Sequence, residues 1–202
     1  MMSPSSSVQI ITETPTAESR SAALARQAAL ALVGSLLVAV CAHVAIPLPF
    51  TPIPFTLQPF AVLLVGMALG PVAGFAALAM YLCEGAAGLP VFTPLGLPGI
   101  ARLLGPAGGY LWSYPVAAAI AGSVSRPVKG YKFATYVATG AAAMLTVYCC
   151  GTVWFSHLLH ISLGSAFRGT VVPFAASDAV KVLVAAAMAS TLKLRGDRAQ
   201  QG

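Results

Sequence analysis

The hydrophobic residues of this chain form long runs, and the polar residues are gathered in short stretches between them. The apolar runs cover about residues 28–46, 57–83, 110–124, 133–157 and 171–194. A helix that crosses a bilayer needs about 20 predominantly apolar residues. The pattern therefore predicts an integral membrane protein built from helices.

The second run contains Gly70 and Pro71, and hydropathy alone does not decide whether it forms one kinked helix or two short ones. Positive charge decides, because the cytoplasmic loops of membrane proteins collect Lys and Arg. With two helices in this run, three basic clusters fall on one side of the membrane. The clusters are Arg20 and Arg26; Arg126, Lys129 and Lys132; and Lys193, Arg195 and Arg198. The sequence thus predicts a six-transmembrane-helix bundle with both termini cytoplasmic.

A proline-rich segment separates the first two predicted helices, with prolines at positions 47, 49, 52, 54 and 59. Proline lacks a backbone N–H and pushes the preceding residue toward extended geometry, so a regular helix is excluded. We expect an ordered Pro-rich loop here. The predicted fold class is all-α, with this loop between helices 1 and 2.

The composition supports a single membrane domain. Of the 202 residues, 58% are hydrophobic and 8% are charged, whereas about a quarter of residues are charged in soluble domains. We expect the helical domain at 20–195, a disordered tail rich in Ser, Thr and Pro at 1–19, and a cytoplasmic tail at 196–202. The net charge of +6 does not indicate nucleic-acid binding, because the basic residues are split among three stretches.

Two charged residues lie inside the last apolar run. Asp178 and Lys181 are three positions apart, which places them on one face of a helix. Each ion costs about 2.5 to 3.5 kcal/mol at the centre of a membrane helix, so both need partners. One interpretation is a structural ion pair between helices. We favour the other, a pair that faces a polar cavity and holds a ligand with both donors and acceptors.

Four further polar residues have two interpretations each. Glu84, near the end of the third predicted helix, is either a charge at the membrane interface or part of a site. Arg102 stands alone among apolar residues and would either meet an anionic ligand or extend to the membrane surface. His157 and His160 either bind a metal, which their spacing allows, or form a polar edge at the membrane surface; no acidic residue or cysteine nearby completes a metal-ligand set. We therefore expect no metal site.

Four short motifs follow one another along the chain. They are Ile46 to Gln58, reading IPLPFTPIPFTLQ; Tyr81 with Gly85 to Phe92, reading GAAGLPVF; Leu104 to Tyr110, reading LGPAGGY; and Pro173 with Asp178 to Lys181, reading DAVK. This ordered set resembles the BioY family, the biotin-specific substrate-capture (S) components of energy-coupling factor (ECF) transporters. The similarity covers about residues 28–194.

The resemblance implies a bundle of six helices that binds biotin at the outer face of the bacterial inner membrane. It also implies association with a transmembrane coupling (T) protein and two cytoplasmic ATPase subunits, which supply the energy. We expect no enzymatic activity and no cofactor. The expected substrate-binding residues, taken from the matching motifs and with Arg102 added for an anionic group, are Asp178, Lys181, Tyr81, Phe92, Arg102, Gln58 and Tyr110.

Other functions stay open at the level of the sequence: an S component for another vitamin, a membrane-embedded enzyme that uses Asp178, and a stand-alone transporter. An enzyme is disfavoured because neither a nucleophile with its base nor a metal set is visible. A stand-alone transporter is disfavoured because no internal inverted repeat is found. The sequence also leaves open whether the chain forms a homo-oligomer.

Overall fold

The computed structural model describes residues 17–124 and 131–199. Eight helices and one two-stranded sheet make up this part of the chain. In chain order they are α1 (Ala17–His43), β1 (Ala45–Leu48), β2 (Thr51–Thr56), α2 (Gln58–Leu69), α3 (Pro71–Ala86), α4 (Ile100–Leu104), α5 (Gly108–Ala121), α6 (Lys132–Leu159), α7 (Leu163–Thr170) and α8 (Val172–Ala199).

The six longest helices occur in the order and at the positions predicted from the apolar runs. The second run forms two helices, since α2 ends at Leu69 and α3 begins at Pro71. Gly70 between them has a φ of +86°, a conformation that glycine adopts without the steric cost other residues incur. Proline suits the first turn of a helix, because backbone N–H groups there have no acceptor within the helix and proline lacks this group. The break is therefore encoded locally by Gly70 and Pro71.

The proline-rich segment forms a β-hairpin, which corrects the all-α fold class predicted for the chain. Strands β1 and β2 are antiparallel, with Ala45 opposite Thr56 and Leu48 opposite Thr51. A sheet of two strands consists only of edge strands, where a missing backbone N–H is tolerated. The segment is extended and ordered, as expected, and the pairing of its two halves is the new feature.

Both terminal helices reach into the segments for which tails were predicted. Helix α1 begins at Ala17 and α8 ends at Ala199. The rest of the predicted tails, residues 1–16 and 200–202, lies outside the described residues, as do the basic residues Arg126 and Lys129.

Three of the segments that connect the long helices gather at one end of the bundle. Helix α5 packs most extensively against α6, α3 packs against both α1 and α5, and α2 packs against α8. Strand β2 contacts α7, and α4 contacts α3 and α5. The hairpin, the segment 87–107 with α4, and α7 therefore lie at the same end, here called the hairpin end.

The outer surface of the bundle is apolar. Three helices of the described residues are long and apolar enough to cross a membrane, judged by length and composition: Leu24–His43, Lys132–Leu159 and Val172–Leu192. Helices α2 and α3 are apolar but shorter. Large apolar side chains such as Val40, Leu145 and Val180 are more than half exposed. Such exposure is expected of a helical membrane protein, because lipid covers these side chains.

Glycines allow α2 to lie directly against α5. A Cβ on Gly66 would overlap the backbone carbonyl of Ala118, and a Cβ on Gly122 would overlap backbone atoms of Gly66 and Gly70. Small residues at helix crossings permit the close backbone approach that stabilises helix pairs in membranes. The bundle core thus depends on the absence of side chains at this crossing.

The variant Gly66→Ala is expected to destabilise the protein by about 1–3 kcal/mol, because the added methyl group meets backbone atoms and the helices must separate. The measurement is the Tm of the purified protein in detergent. Gly164→Ala in α7 is the matched control, since a Cβ there meets nothing within 4 Å. Equal Tm values for the two variants would contradict the role of the crossing.

Candidate ligand-binding site

A cavity opens inside the bundle beneath the hairpin. Its space free of protein atoms, open mouth included, is about 640 Å³. The walls are mainly apolar and aromatic, from side chains such as Phe92, Tyr114, Met144, Val147 and Phe174. The polar side chains with the clearest capacity to bind a ligand are Gln58, Arg102, Tyr110, Tyr148, Asp178 and Lys181.

The acid and base of α8 lie on the cavity wall as a buried ion pair. Lys181 Nζ lies 2.7 Å from Asp178 Oδ1, and the two residues are 6% and 5% exposed. The other carboxylate oxygen of Asp178 accepts a hydrogen bond of 2.7 Å from the Tyr148 hydroxyl of α6. Each carboxylate oxygen therefore has one partner and retains a lone pair for a ligand donor.

Lys181 also makes a contact with the hairpin. Its ammonium lies 4.2 Å from the centre of the Phe55 ring of β2, a distance at which the electron-rich ring face attracts a cation. The contact joins α8 to the element that covers the cavity. The ammonium has three N–H donors, and the bond to Asp178 uses one of them.

A hydrogen-bonded chain fixes another part of the wall. Gln58 Nε2 donates to the Tyr81 hydroxyl at 2.8 Å, and this hydroxyl donates to the backbone carbonyl of Val91 at 3.1 Å. Gln58 lines the cavity, whereas Tyr81 is fully buried behind the lining. Tyr81 thus holds Gln58 and the Val91 segment in place.

Phe92 forms an aromatic part of the wall. Its ring meets that of Tyr81 edge-on, with centroids 5.3 Å apart and an interplanar angle of 79°, the geometry aromatic pairs prefer. Phe92 occupies the space above Gly85, where a Cβ would overlap the ring. Gly85, the first glycine of the second sequence motif, is therefore required by the packing of Phe92.

Arg102 is buried at the border of the cavity, which excludes the interpretation that it extends to the membrane surface. It is 8% exposed, its guanidinium donates to the carbonyl of Leu95, and it forms no salt bridge with any residue of the described ranges. A Cβ on Gly96 would overlap its Nη1 atom, so the loop closely surrounds the guanidinium. Burial lowers the pKa of Arg102 from its ordinary value.

Two tryptophans fix the segment that carries Arg102. Trp112 Nε1 of α5 donates to the carbonyl of Leu103 at 3.1 Å. Trp154 Nε1 of α6 donates to the carbonyl of Gly105 at 2.9 Å. The C-terminal end of α4 is thereby held from two neighbouring helices.

Tyr110 lies in the cavity wall with its hydroxyl buried. A Cβ on Gly151 would overlap the Tyr110 ring, so the ring lies against the backbone of α6. The hydroxyl lies near those of Thr152 and Thr170 and makes no hydrogen bond of normal geometry with the described residues. A buried hydroxyl in this state is available to a polar ligand group.

The remaining polar candidates lie away from the cavity. Glu84 accepts a hydrogen bond from the Ser35 hydroxyl, joining α3 to α1, and does not line the cavity. His157 and His160 have ring centroids 6.4 Å apart. The described ranges contain no group of three or more His, Cys, Asp or Glu residues that could hold a metal.

Sequence reasoning missed two residues that contact the ion pair, Tyr148 and Phe55. Phe55 lies inside the first motif, directly after Pro54, but nothing local related it to Lys181. Tyr148 was one of several aromatic residues in an apolar helix. The available signal for Tyr148 was its hydroxyl group inside a membrane helix, because a buried tyrosine hydroxyl usually has a hydrogen-bond partner.

Comparisons with known proteins identify the family of this chain. The sequence model of the BioY family matches residues 12–198. This chain belongs to the BioY family. It is 38% identical over 148 residues to "Biotin transporter BioY" of Thermotoga maritima, covering 73% of this chain and 85% of that protein. It is 36% identical over 142 residues to "Probable biotin transporter BioY" of Pyrococcus horikoshii, covering 70% and 82%.

The BioY fold is also recognised among solved structures. A crystal structure described as the S-component for biotin from an ECF-type ABC transporter superposes with a TM-score of 0.77. The match covers 89% of this chain and 95% of that chain at 22% sequence identity. The likeness establishes a common fold.

The variant Tyr81→Phe is expected to destabilise this BioY protein by about 1–3 kcal/mol, because it leaves the buried Gln58 amide and Val91 carbonyl without their partner. The decrease would be measured as a lower Tm in detergent. Tyr131→Phe is the control, as Tyr131 is 69% exposed. The proposed hydrogen-bonded chain would be refuted by a Tyr81→Phe protein as stable as the control.

Proposed function

We propose that this chain is the biotin-binding S component of an ECF-type ABC transporter and that it is not an enzyme. Its membership of the BioY family and the names of its relatives support this function. The observation that carries the proposal is the Asp178–Lys181 pair in the wall of an otherwise largely apolar cavity. An intramembrane pair of this kind normally belongs to a substrate site.

The chemistry of biotin suits the charged and apolar side chains of the cavity. Its ureido ring carries two N–H donors and one carbonyl acceptor, its thiophane ring is apolar, and its tail ends in a carboxylate. In the proposed pose Asp178 accepts from the ureido N–H groups and Lys181 donates to the ureido oxygen. Phe92 and the neighbouring apolar side chains bury the rings, and the carboxylate meets Arg102.

The other expected site residues have supporting roles in this pose. Gln58 offers an amide in the wall, and the Tyr110 hydroxyl is free of normal hydrogen bonds within the described residues. Tyr81 acts through Gln58 instead of touching the ligand, because it lies behind the lining. Tyr148 orients the Asp178 carboxylate from α6.

We further propose six membrane-crossing helices, with the hairpin end outside and both termini in the cytoplasm of a bacterial cell. Helices α2, α3 and α5 have 12, 16 and 14 residues, and short helices are accommodated by local thinning of the bilayer. In this orientation the cavity opens outward. The partners are then a T protein and two ATPase subunits on the cytoplasmic side, which provide the energy for uptake.

Purified protein is expected to bind radiolabelled biotin, and riboflavin and thiamin should not displace it. Asp178→Asn should weaken binding by about ten- to a hundredfold, because hydrogen bonds to a charged group contribute about 1.5–3 kcal/mol. Equilibrium binding in detergent measures both effects. Absence of biotin binding by the wild type would contradict the function, and undiminished binding by the variant would contradict the site.

A double variant separates the binding role from a purely structural ion pair. Asp178→Asn alone leaves the buried Lys181 ammonium unpaired, at a cost of about 3–5 kcal/mol. Asp178→Asn combined with Lys181→Met removes both charges at similar volume and should restore the Tm. Biotin binding should stay weak in the double variant. Recovery of both stability and wild-type affinity would indicate that the pair is only structural.

A further inference from the structure

A second cavity lies next to the binding cavity, between the hairpin and the segment 95–107. Its space free of protein atoms, open solvent included, is about 840 Å³. Leu48 and Pro52 line it from the hairpin, and Leu97 and Ala101 line it from the opposite side. We call this cavity the vestibule.

The vestibule and the binding cavity share part of their walls. Pro54, Arg102 and Ala107 line both of them. Arg102 therefore borders both cavities, and it is the charged residue that they share.

The guanidinium of Arg102 lacks a counter-charge in the part of the chain that the structure describes. Its hydrogen bond to Leu95 goes to a neutral carbonyl, and a guanidinium has five N–H donors. A buried ion without an opposite charge is strongly unfavourable. An anionic ligand group that reaches Arg102 would relieve this cost.

The rest of the vestibule has the chemistry of an apolar surface. Arg102 is the one charged residue among the described residues that line it, and the others are mostly prolines, leucines, glycines and alanines. A ligand that fits this surface has an apolar body and a single carboxylate. A strongly polar or multiply charged molecule would lose hydration without gaining partners.

We infer that the vestibule is an entry subsite for amphipathic monocarboxylates, which bind there through Arg102 before they occupy the binding cavity. The carboxylate stays on the same guanidinium while the apolar body moves from the vestibule into the cavity. The ligand charge is then never buried without a partner during entry. This inference rests on the proposed function, in which biotin is the ligand and its carboxylate meets Arg102.

The test compares association rates of biotin and its uncharged methyl ester for a variant with a filled vestibule. Ala101→Trp on α4 places a large side chain in the vestibule, and Leu48→Trp fills it from the hairpin side. Ile100→Trp is the matched control, because Ile100 is 55% exposed on the same helix and does not line the vestibule. Association and dissociation rate constants are measured with the full chain in detergent, using radiolabelled ligands.

In the wild type and the Ile100→Trp control, biotin should associate faster than its ester. Filling the vestibule should slow biotin association by about tenfold, within the one to three decades over which variants of one site alter association rates. Dissociation should slow by a similar factor, because the final bound state does not include the vestibule and Kd stays the same. The ratio of acid to ester association rates should fall toward one. Ala101→Trp and Leu48→Trp should agree, so that a folding defect in one leaves the other as the test.

Two results would overturn the entry subsite. If biotin and its ester are slowed equally, the vestibule is on the entry path but does not recognise the carboxylate. If biotin association is unchanged, the vestibule is not on the entry path. Both results assume that the wild type binds biotin. Failure of wild-type binding would instead refute the proposed function, so the two failures are distinguishable.

Discussion

The cost of placing charge inside an apolar bundle constrains the centre of this protein. Asp178 and Lys181 satisfy each other along one face of α8, 2.7 Å apart. Their pairing alone leaves half of the carboxylate and most of the ammonium without partners. Tyr148 from α6 and Phe55 from the hairpin supply further contacts. The pair thereby ties α8 to α6 and to the element that covers the cavity.

The two cations of the cavity differ in their electrostatic surroundings. Lys181 has a carboxylate beside it, so this part of the site is balanced without a ligand. Arg102 has a neutral carbonyl from Leu95 and no carboxylate among the residues described. The proposed ligand is complementary to this asymmetry, because its ureido ring is neutral and its tail is anionic. An anionic ligand group would neutralise Arg102, whereas the charge of Lys181 is already neutralised by Asp178.

Close packing elsewhere keeps these groups in place. The hydrogen bonds from Gln58 through Tyr81 to Val91 connect α2, α3 and the loop that follows α3. Trp112 and Trp154 hold the end of α4. Interactions between helices in a membrane depend on packing and hydrogen bonds, since lipid provides little hydrophobic driving force. Tyr81, Trp112 and Trp154 therefore hold the wall in place from behind, since none of them lines the cavity.

The sequence by itself determined the features that depend on neighbouring residues. The apolar runs together with the placement of the basic residues predicted six helices with a break at Gly70 and Pro71, and the spacing of Asp178 and Lys181 predicted a shared helical face. These predictions follow from hydropathy, from the charge of the flanking residues and from helical periodicity. The motif order also indicated the family and five residues that line the cavity: Gln58, Phe92, Tyr110, Asp178 and Lys181.

Only the tertiary structure decided which residues meet across helices. Tyr148 lies 30 positions from Asp178, and no local pattern relates the two. Likewise, the burial of Arg102 without a counter-charge from the described residues and the place of Tyr81 behind Gln58 depend on how α3, α4 and α5 cross. The pairing of the proline-rich strands depends on a register that prolines do not specify. Helix crossings and strand register are set by packing over the whole chain, which is why the sequence left them undetermined.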